Sequence, residues 1–161
     1  RLFPRPYLDN DNLDFSFSGL KTAATGQAAH LLKGYEWPRP LTDIAHAPQV
    51  LKDYCASFNL AVVETLIAKT RRALDSNPDL KTLIMAGGVA CNSLLRNSVV
   101  QLMQGRGGEA FIPSGQLCTD NAAMIAHAAW LLGKSGYCHR LNMETIPRGK
   151  AIPNDMLCSL C

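Results

Sequence analysis

Between Lys81 and Leu132 the sequence alternates short apolar runs with longer amphipathic ones, and that rhythm restricts the fold more than any other feature. Lys81 to Ala86 reads as a buried strand, Asn92 to Met103 as a helix, Glu109 to Ile112 as a second strand and Thr119 to Leu132 as a second helix. The connections are short, so the two strands are expected to be parallel neighbours with a right-handed crossover. Both helices then begin at one sheet edge, and open α/β sheets bind ligands in the crevice beyond the strands' carboxyl ends.

The stretch before this unit reads as helical. Ser18 is expected to cap a helix from Gly19 to Leu32 that closes near Gly34. A polar, Pro-broken connection from Trp37 to Pro48 follows. Leu51, Cys55, Phe58, Val62 and Leu66 then recur at spacings of three and four, as one apolar face of a long helix closing at Lys69, Arg71 and Arg72. The reading divides the chain into a helical segment at 1–75, a β-α-β-α unit at 76–136 and a tail at 137–161.

Composition excludes several classes. With 161 residues, 47% of them hydrophobic but in no long uninterrupted run, the chain is expected to be a soluble domain without a membrane span. Its start, RLFPRPYLDND, lacks the order of a secretory signal and is too acidic for a transit peptide; beginning with Arg, the chain reads as a fragment. A net charge of +3 admits an anionic partner without requiring one, and no basic block interleaved with aromatics is present. Six irregularly spaced cysteines, several of them in apolar contexts, fit a reducing compartment. The terminal CSLC is a lone CxxC with no second pair to complete a zinc site.

The candidate site begins in LIMAGGVACNSLLR, Leu83 to Arg96. Gly87 and Gly88 at a strand end carry no Cβ to hold a ligand off the backbone, and the following helix aims its unpaired N–H groups and positive dipole end there. An anion or a nucleotide fits; a tight structural turn accounts for a glycine pair equally well. Asn92 is first of all a helix cap, although an amide can also present a donor and an acceptor to a sugar or base. Asp120, in LCTDNAAMIAHAAWLL, is placed at the start of the second helix beside Thr119 and Asn121. There a carboxylate favours the helix dipole, and the same geometry brings it to the glycine crevice, where its hard oxygen suits a metal. His127 stands seven positions further, about 10 Å along a helix axis, more than one metal usually spans. His30, His46 and His139 are isolated, so no HxxxH ligand pair exists in the chain.

DFSFSGLKTA, AGGVACNSLLR and LCTDNAAMIA, in that order, resemble the C-terminal half of the tRNA adenosine threonylcarbamoyltransferase family, bacterial TsaD, formerly called O-sialoglycoprotein endopeptidase or glycoprotease. The resemblance runs from about Phe3 to Pro147. It implies an actin, sugar-kinase and heat-shock-protein (ASKHA) type of α/β fold, two lobes clasping a nucleotide, of which this chain is mainly the second, the N-terminal lobe being absent. It further implies transfer of the threonylcarbamoyl group from threonylcarbamoyl-AMP to the exocyclic N6 amine of the adenosine beside the tRNA anticodon. By resemblance Gly87 and Gly88 lie against the adenylate, Asn92 binds its nucleoside part, and Asp120 is one ligand of a divalent metal ion: iron, zinc or magnesium. The family's other ligands are two histidines of an HxxxH motif in the first lobe, missing from this sequence. Implied partners are tRNA, a TsaB-like inactive paralogue and a TsaE-like small ATPase, in the cytoplasm or an organellar matrix, with no membrane.

Two departures stand out. Ala122 replaces a glycine that often follows TDN in the family, and DIAHAPQVLKDYCASFN, with Asn59 for glutamine, replaces the shorter DIAxSFQ form. The rival readings are a non-catalytic nucleotide-binding scaffold of the same fold, a metalloprotease and a sugar or acetate kinase. Retention of Asp120 with Asn92 tells against a scaffold, the lack of HExxH against a protease, and the FSGLKT helix against a kinase.

Overall fold

A computed structural model describes residues 2–5, 10–31, 33–34, 47–138 and 158–159. Helix α1 (Ser18–Leu31) and the long α2 (Gln49–Asp75) precede strand β1 (Thr82–Ile84). A 3₁₀ turn (Gly88–Cys91) leads into α3 (Ser93–Gln104), then β2 (Glu109–Phe111), a one-turn helix α4 (Gly115–Cys118) and α5 (Ala122–Lys134). A two-residue antiparallel pairing of β3 (Tyr137–Cys138) with β4 (Cys158–Ser159) completes the described elements. The structure is thus mixed α/β, mostly helical, and no described helix is long and apolar enough to cross a membrane.

The parallel pairing expected from the rhythm is present. Thr82 faces Glu109, Leu83 faces Ala110 and Ile84 faces Phe111, so β1 and β2 run parallel with α3 as the crossover. Strand side chains alternate between faces. Leu83 and Ala110, with Met85 and Ile112, pack against Val63, Leu95 and Val99 of α2 and α3, whereas Ile84 is 75% and Phe111 51% exposed on the other face. Gly108 closes the return from α3: a Cβ there would lie 2.6 Å from the Lys81 carbonyl oxygen and 2.8 Å from Met103 Cε.

The long helix carries two cores. Its first half packs Tyr54 and Ala61 against Phe3 and Leu20, with Phe3 edge-on to Tyr54 and Phe58 at ring separations of 5.1 and 5.5 Å. Its second half belongs to the sheet core. Of the expected apolar face, Leu51 is buried and Phe58, Val62 and Leu66 pack at the cores' margins, but Cys55 is exposed. The bulky Tyr54 and the small Ala61 have turned the buried stripe by one residue.

Lys69, expected among the basic residues that close the helix, lies before its end at Asp75 and is only 2% exposed. Its Nζ donates to Asn10 Oδ1 (2.6 Å) and to the Asn12 carbonyl (2.7 Å). Burial pushes its pKa down, as does the nearby Arg72 charge, while Asp14 and Asp11 oppose the shift. A buried ammonium needs such partners, and here it ties the entry segment onto α2. Helix α1 starts at Ser18 itself, one residue before the expected first residue. Leu32, the Trp37 to His46 connection, His139 and the rest of the tail except 158–159 lie outside the described residues.

Candidate functional site

At the carboxyl end of β1 the chain turns through Gly87, whose φ of 90° and ψ of 169° belong to a region open essentially to glycine alone. A Cβ built on Gly87 or Gly88 would meet nothing within 4 Å. Glycine is therefore demanded at 87 by the backbone, and the space beside both residues is free. A 3₁₀ turn fills the gap between the glycines and the helix expected from Asn92, with Ala90 N–H donating to Gly87 O (2.9 Å) and Asn92 N–H to Val89 O (3.0 Å), and α3 then starts at Ser93. The first N–H groups of this turn, at Gly88 and Val89, have no partner within it.

Asn92 is the N-cap of α3. Its Oδ1 accepts from Leu95 N–H (3.0 Å), and its Nδ2 donates to Asn59 Oδ1 at 2.6 Å, locking the amide between α2 and α3. An asparagine amide has two donor hydrogens and two acceptor lone pairs, so one of each remains. Asn59 thus acts as the orienting partner of Asn92, a role its sequence position did not reveal.

Asp120 is not in a first helical turn. Thr119 is extended at the end of α4, and Asn121 is the N-cap of α5, accepting from Met124 N–H at 3.1 Å while its Nδ2 donates to Thr119 O at 2.8 Å. With these two hydrogen bonds of Asn121 to the backbone, the helix expected from Thr119 starts only at Ala122. The capping account of Asp120 is lost with it. Asp120 is exposed in an open concavity of about 270 Å³ lined with Asn121, Ala122 and Ile125. Gly87, Gly88 and Asn92 do not line that concavity.

The 3₁₀ turn is tied to the segment that leads into α4. Cys91 Sγ lies 3.5 Å from Gly115 O, bringing the 3₁₀ turn onto α4. Arg96, in the first turn of α3, donates from Nη1 to Ala90 O and from Nη2 to Pro113 O, both at 2.8 Å. Sequence reasoning passed over this residue. The available signal was its sign: a cation near a helix N-terminus opposes the dipole, so something outside the helix must hold it.

As a metal site the described residues are incomplete. No group of three His, Cys, Asp or Glu that could hold an ion exists among them, and one exposed carboxylate replaces too few of an ion's waters. His127 is exposed and stacked on Trp130 at 5.8 Å, so it adds no ligand to Asp120.

The family model described as TsaD, tRNA N6-adenosine threonylcarbamoyltransferase, matches residues 2–127. Proteins of that name are similar to the chain: that of Desulfovibrio desulfuricans is 70% identical over 154 residues, covering 96% of this chain and 43% of the relative. That of Nitratidesulfovibrio vulgaris is 52% identical over 164 residues, covering 96% and 44%, and that of Lawsonia intracellularis 44% identical over 164, covering 97% and 45%. The chain spans less than half the length of these curated relatives.

Proposed function

Since the chain belongs to the tRNA N6-adenosine threonylcarbamoyltransferase family, whose fold is of the ASKHA type, we propose that it supplies part of an adenylate site in a longer enzyme. That enzyme moves a threonylcarbamoyl group from threonylcarbamoyl-AMP to the N6 amine of the adenosine next to the anticodon of tRNA. The observation that carries the reading is the open turn at Gly87 and Gly88, at the carboxyl end of a parallel strand inside the matched stretch. In this reading residues 1–161 belong to the second of two lobes, with 1–75 its helical segment, 76–136 its site unit and 137–161 its tail.

Each residue then has a distinct task. The Gly88 and Val89 N–H groups receive adenylate oxygens, because glycine lets an anion reach the backbone. Asn92, held by Asn59 and Leu95, offers its spare donor and acceptor to the nucleoside. Amine attack on a mixed anhydride expels AMP, a good leaving group, so positioning outweighs strong acid catalysis. Asp120 would supply one oxygen to a divalent ion whose other ligands lie outside the described residues. Such an ion adds fixed positive charge where negative charge develops. The partners in this reading are tRNA, a TsaB-like paralogue and a TsaE-like ATPase, in the cytoplasm.

The test is transfer to tRNA from synthetic threonylcarbamoyl-AMP by the full-length enzyme, its Asp120→Ala form and the 161-residue chain. Transfer is expected from the first alone. An active Asp120→Ala enzyme, or appreciable transfer by the chain by itself, overturns the reading.

A further inference from the structure

The glycine turn and the turn bearing Asp120 leave different strands, and their relative placement decides whether adenylate and carboxylate can address one reacting centre. Arg96 bonds to the first and to the segment that leads through α4 to the second. Its two terminal nitrogens reach Ala90 O, in the 3₁₀ turn, and Pro113 O, just beyond β2, each at 2.8 Å, and Nη1 stands 3.8 Å from Cys118 Sγ of α4. Ala90 is only 1% exposed. Removing the guanidinium leaves a sheltered carbonyl without its donor, which is costly in a way that losing a surface contact is not. The planar fork presents its donors at a fixed separation, whereas a lysine ammonium is a single point that cannot hold two carbonyls at a set distance.

We infer that Arg96 is a positioning residue: it sets the spacing between the Gly87–Gly88 turn and the turn that carries Asp120, and through that spacing the rate of group transfer. The inference rests on the function proposed above. It assigns Arg96 no contact with substrate. The glycine turn is built locally and keeps its own hydrogen bonds without Arg96, so adenylate binding should survive a change in spacing. Alignment of the reacting groups should not, since misplacement by about 1 Å can cost on the order of 100-fold in rate.

The experiment has two arms. In the full-length enzyme, Arg96→Lys is expected to lower kcat for transfer roughly 10- to 100-fold while KM for the adenylate changes by less than about threefold. In Arg96→Ala, added ethylguanidinium should restore part of kcat and ethylammonium should not. In the second arm p-acetylphenylalanine replaces Val89 and Leu117, both exposed, and carries ketone-reactive spin labels. Dipolar broadening in the electron paramagnetic resonance spectrum then reports the distance between turns, which should be narrowly distributed when Arg96 is retained and broad in the Arg96→Lys form.

An unchanged distance distribution in Arg96→Lys overturns the inference. So does a broadened one with wild-type kcat, or a rate loss that follows thermal stability and is not recovered by ethylguanidinium. An unsubstituted enzyme without transfer activity refutes the proposed function instead, and the spin-label spectrum then decides the spacing alone.

Discussion

The chain solves one local problem twice with opposite results. After β1 it runs through a short helical turn to Asn92 and into α3; after β2 it runs through the short α4 to Asn121 and into α5. In both, the asparagine Oδ1 accepts from the N–H three residues on, at 3.0 Å in one and 3.1 Å in the other. Yet α3 buries Leu95, Val99 and Met103, while α5 buries no residue, although it is much the more hydrophobic helix. Capping decides where a helix begins. Whether the helix has a side to bury depends on what stands across from it, and α3 has α2 and the strands while α5 ends beside the two-residue β3. A Lys134 ammonium 4.3 Å over Trp130 and the His127 stack cover part of α5 from within, leaving Met124 and Ile125 open.

The largest difference between the two should appear on truncation of apolar side chains. Leu95→Ala in α3 should lower unfolding free energy by about 2–5 kcal/mol, as expected for a buried leucine. Ile125→Ala in α5 should stay within about 0.5 kcal/mol, as a surface change does. Urea unfolding of the chain measures both, and equal losses would break the contrast.

A smaller contrast lies in the glycines of the two turns. Gly87→Ala should cost about 1–3 kcal/mol, because it forces a Cβ into the φ 90° conformation. At Gly115 the added Cβ would sit in helical backbone, 4.0 Å from Cys91 Sγ, an ordinary contact. Gly115→Ala should therefore leave stability unchanged or raised by a few tenths of a kcal/mol in the same titration.

The two caps separate least. Asn121→Ala should cost about 1 kcal/mol, the usual loss for a cap. Asn92→Ala should cost up to about 1 kcal/mol more, since it also deprives Asn59 Oδ1 of its 2.6 Å donor. Calorimetry of the two variants ranks them. Adenylate binding sharpens the result further: under the proposed function Asn92→Ala weakens affinity and Asn121→Ala does not, and an unchanged affinity in Asn92→Ala reduces that residue to a cap.

Features closed within a few residues were legible beforehand. The Asn92 cap spans three residues, the strand-helix-strand rhythm declares a parallel pair, and two glycines after an apolar run announce a turn that side chains avoid. Asn121 was seen beside Asp120 but its stronger claim to the cap was not, because the two neighbours are nearly equal as capping residues and only the turn from α4 selects between them.

Other features depend on partners that sequence proximity does not indicate. Arg96 meets Pro113 seventeen residues away, Asn92 meets Asn59 thirty-three away, and Lys69 meets Asn10 fifty-nine away. The sequence by itself determined the strand pair, the Asn92 cap and the glycine turn, because each follows from backbone hydrogen bonds and conformational limits within one turn or one crossover. Only the tertiary structure decided that Lys69 is buried, that α3 packs while α5 buries no residue among the described residues, that Asp120 precedes its helix, and that Arg96 ties the glycine-side turn to Pro113. Those outcomes depend on which carbonyls and apolar faces a side chain meets once distant segments share a core.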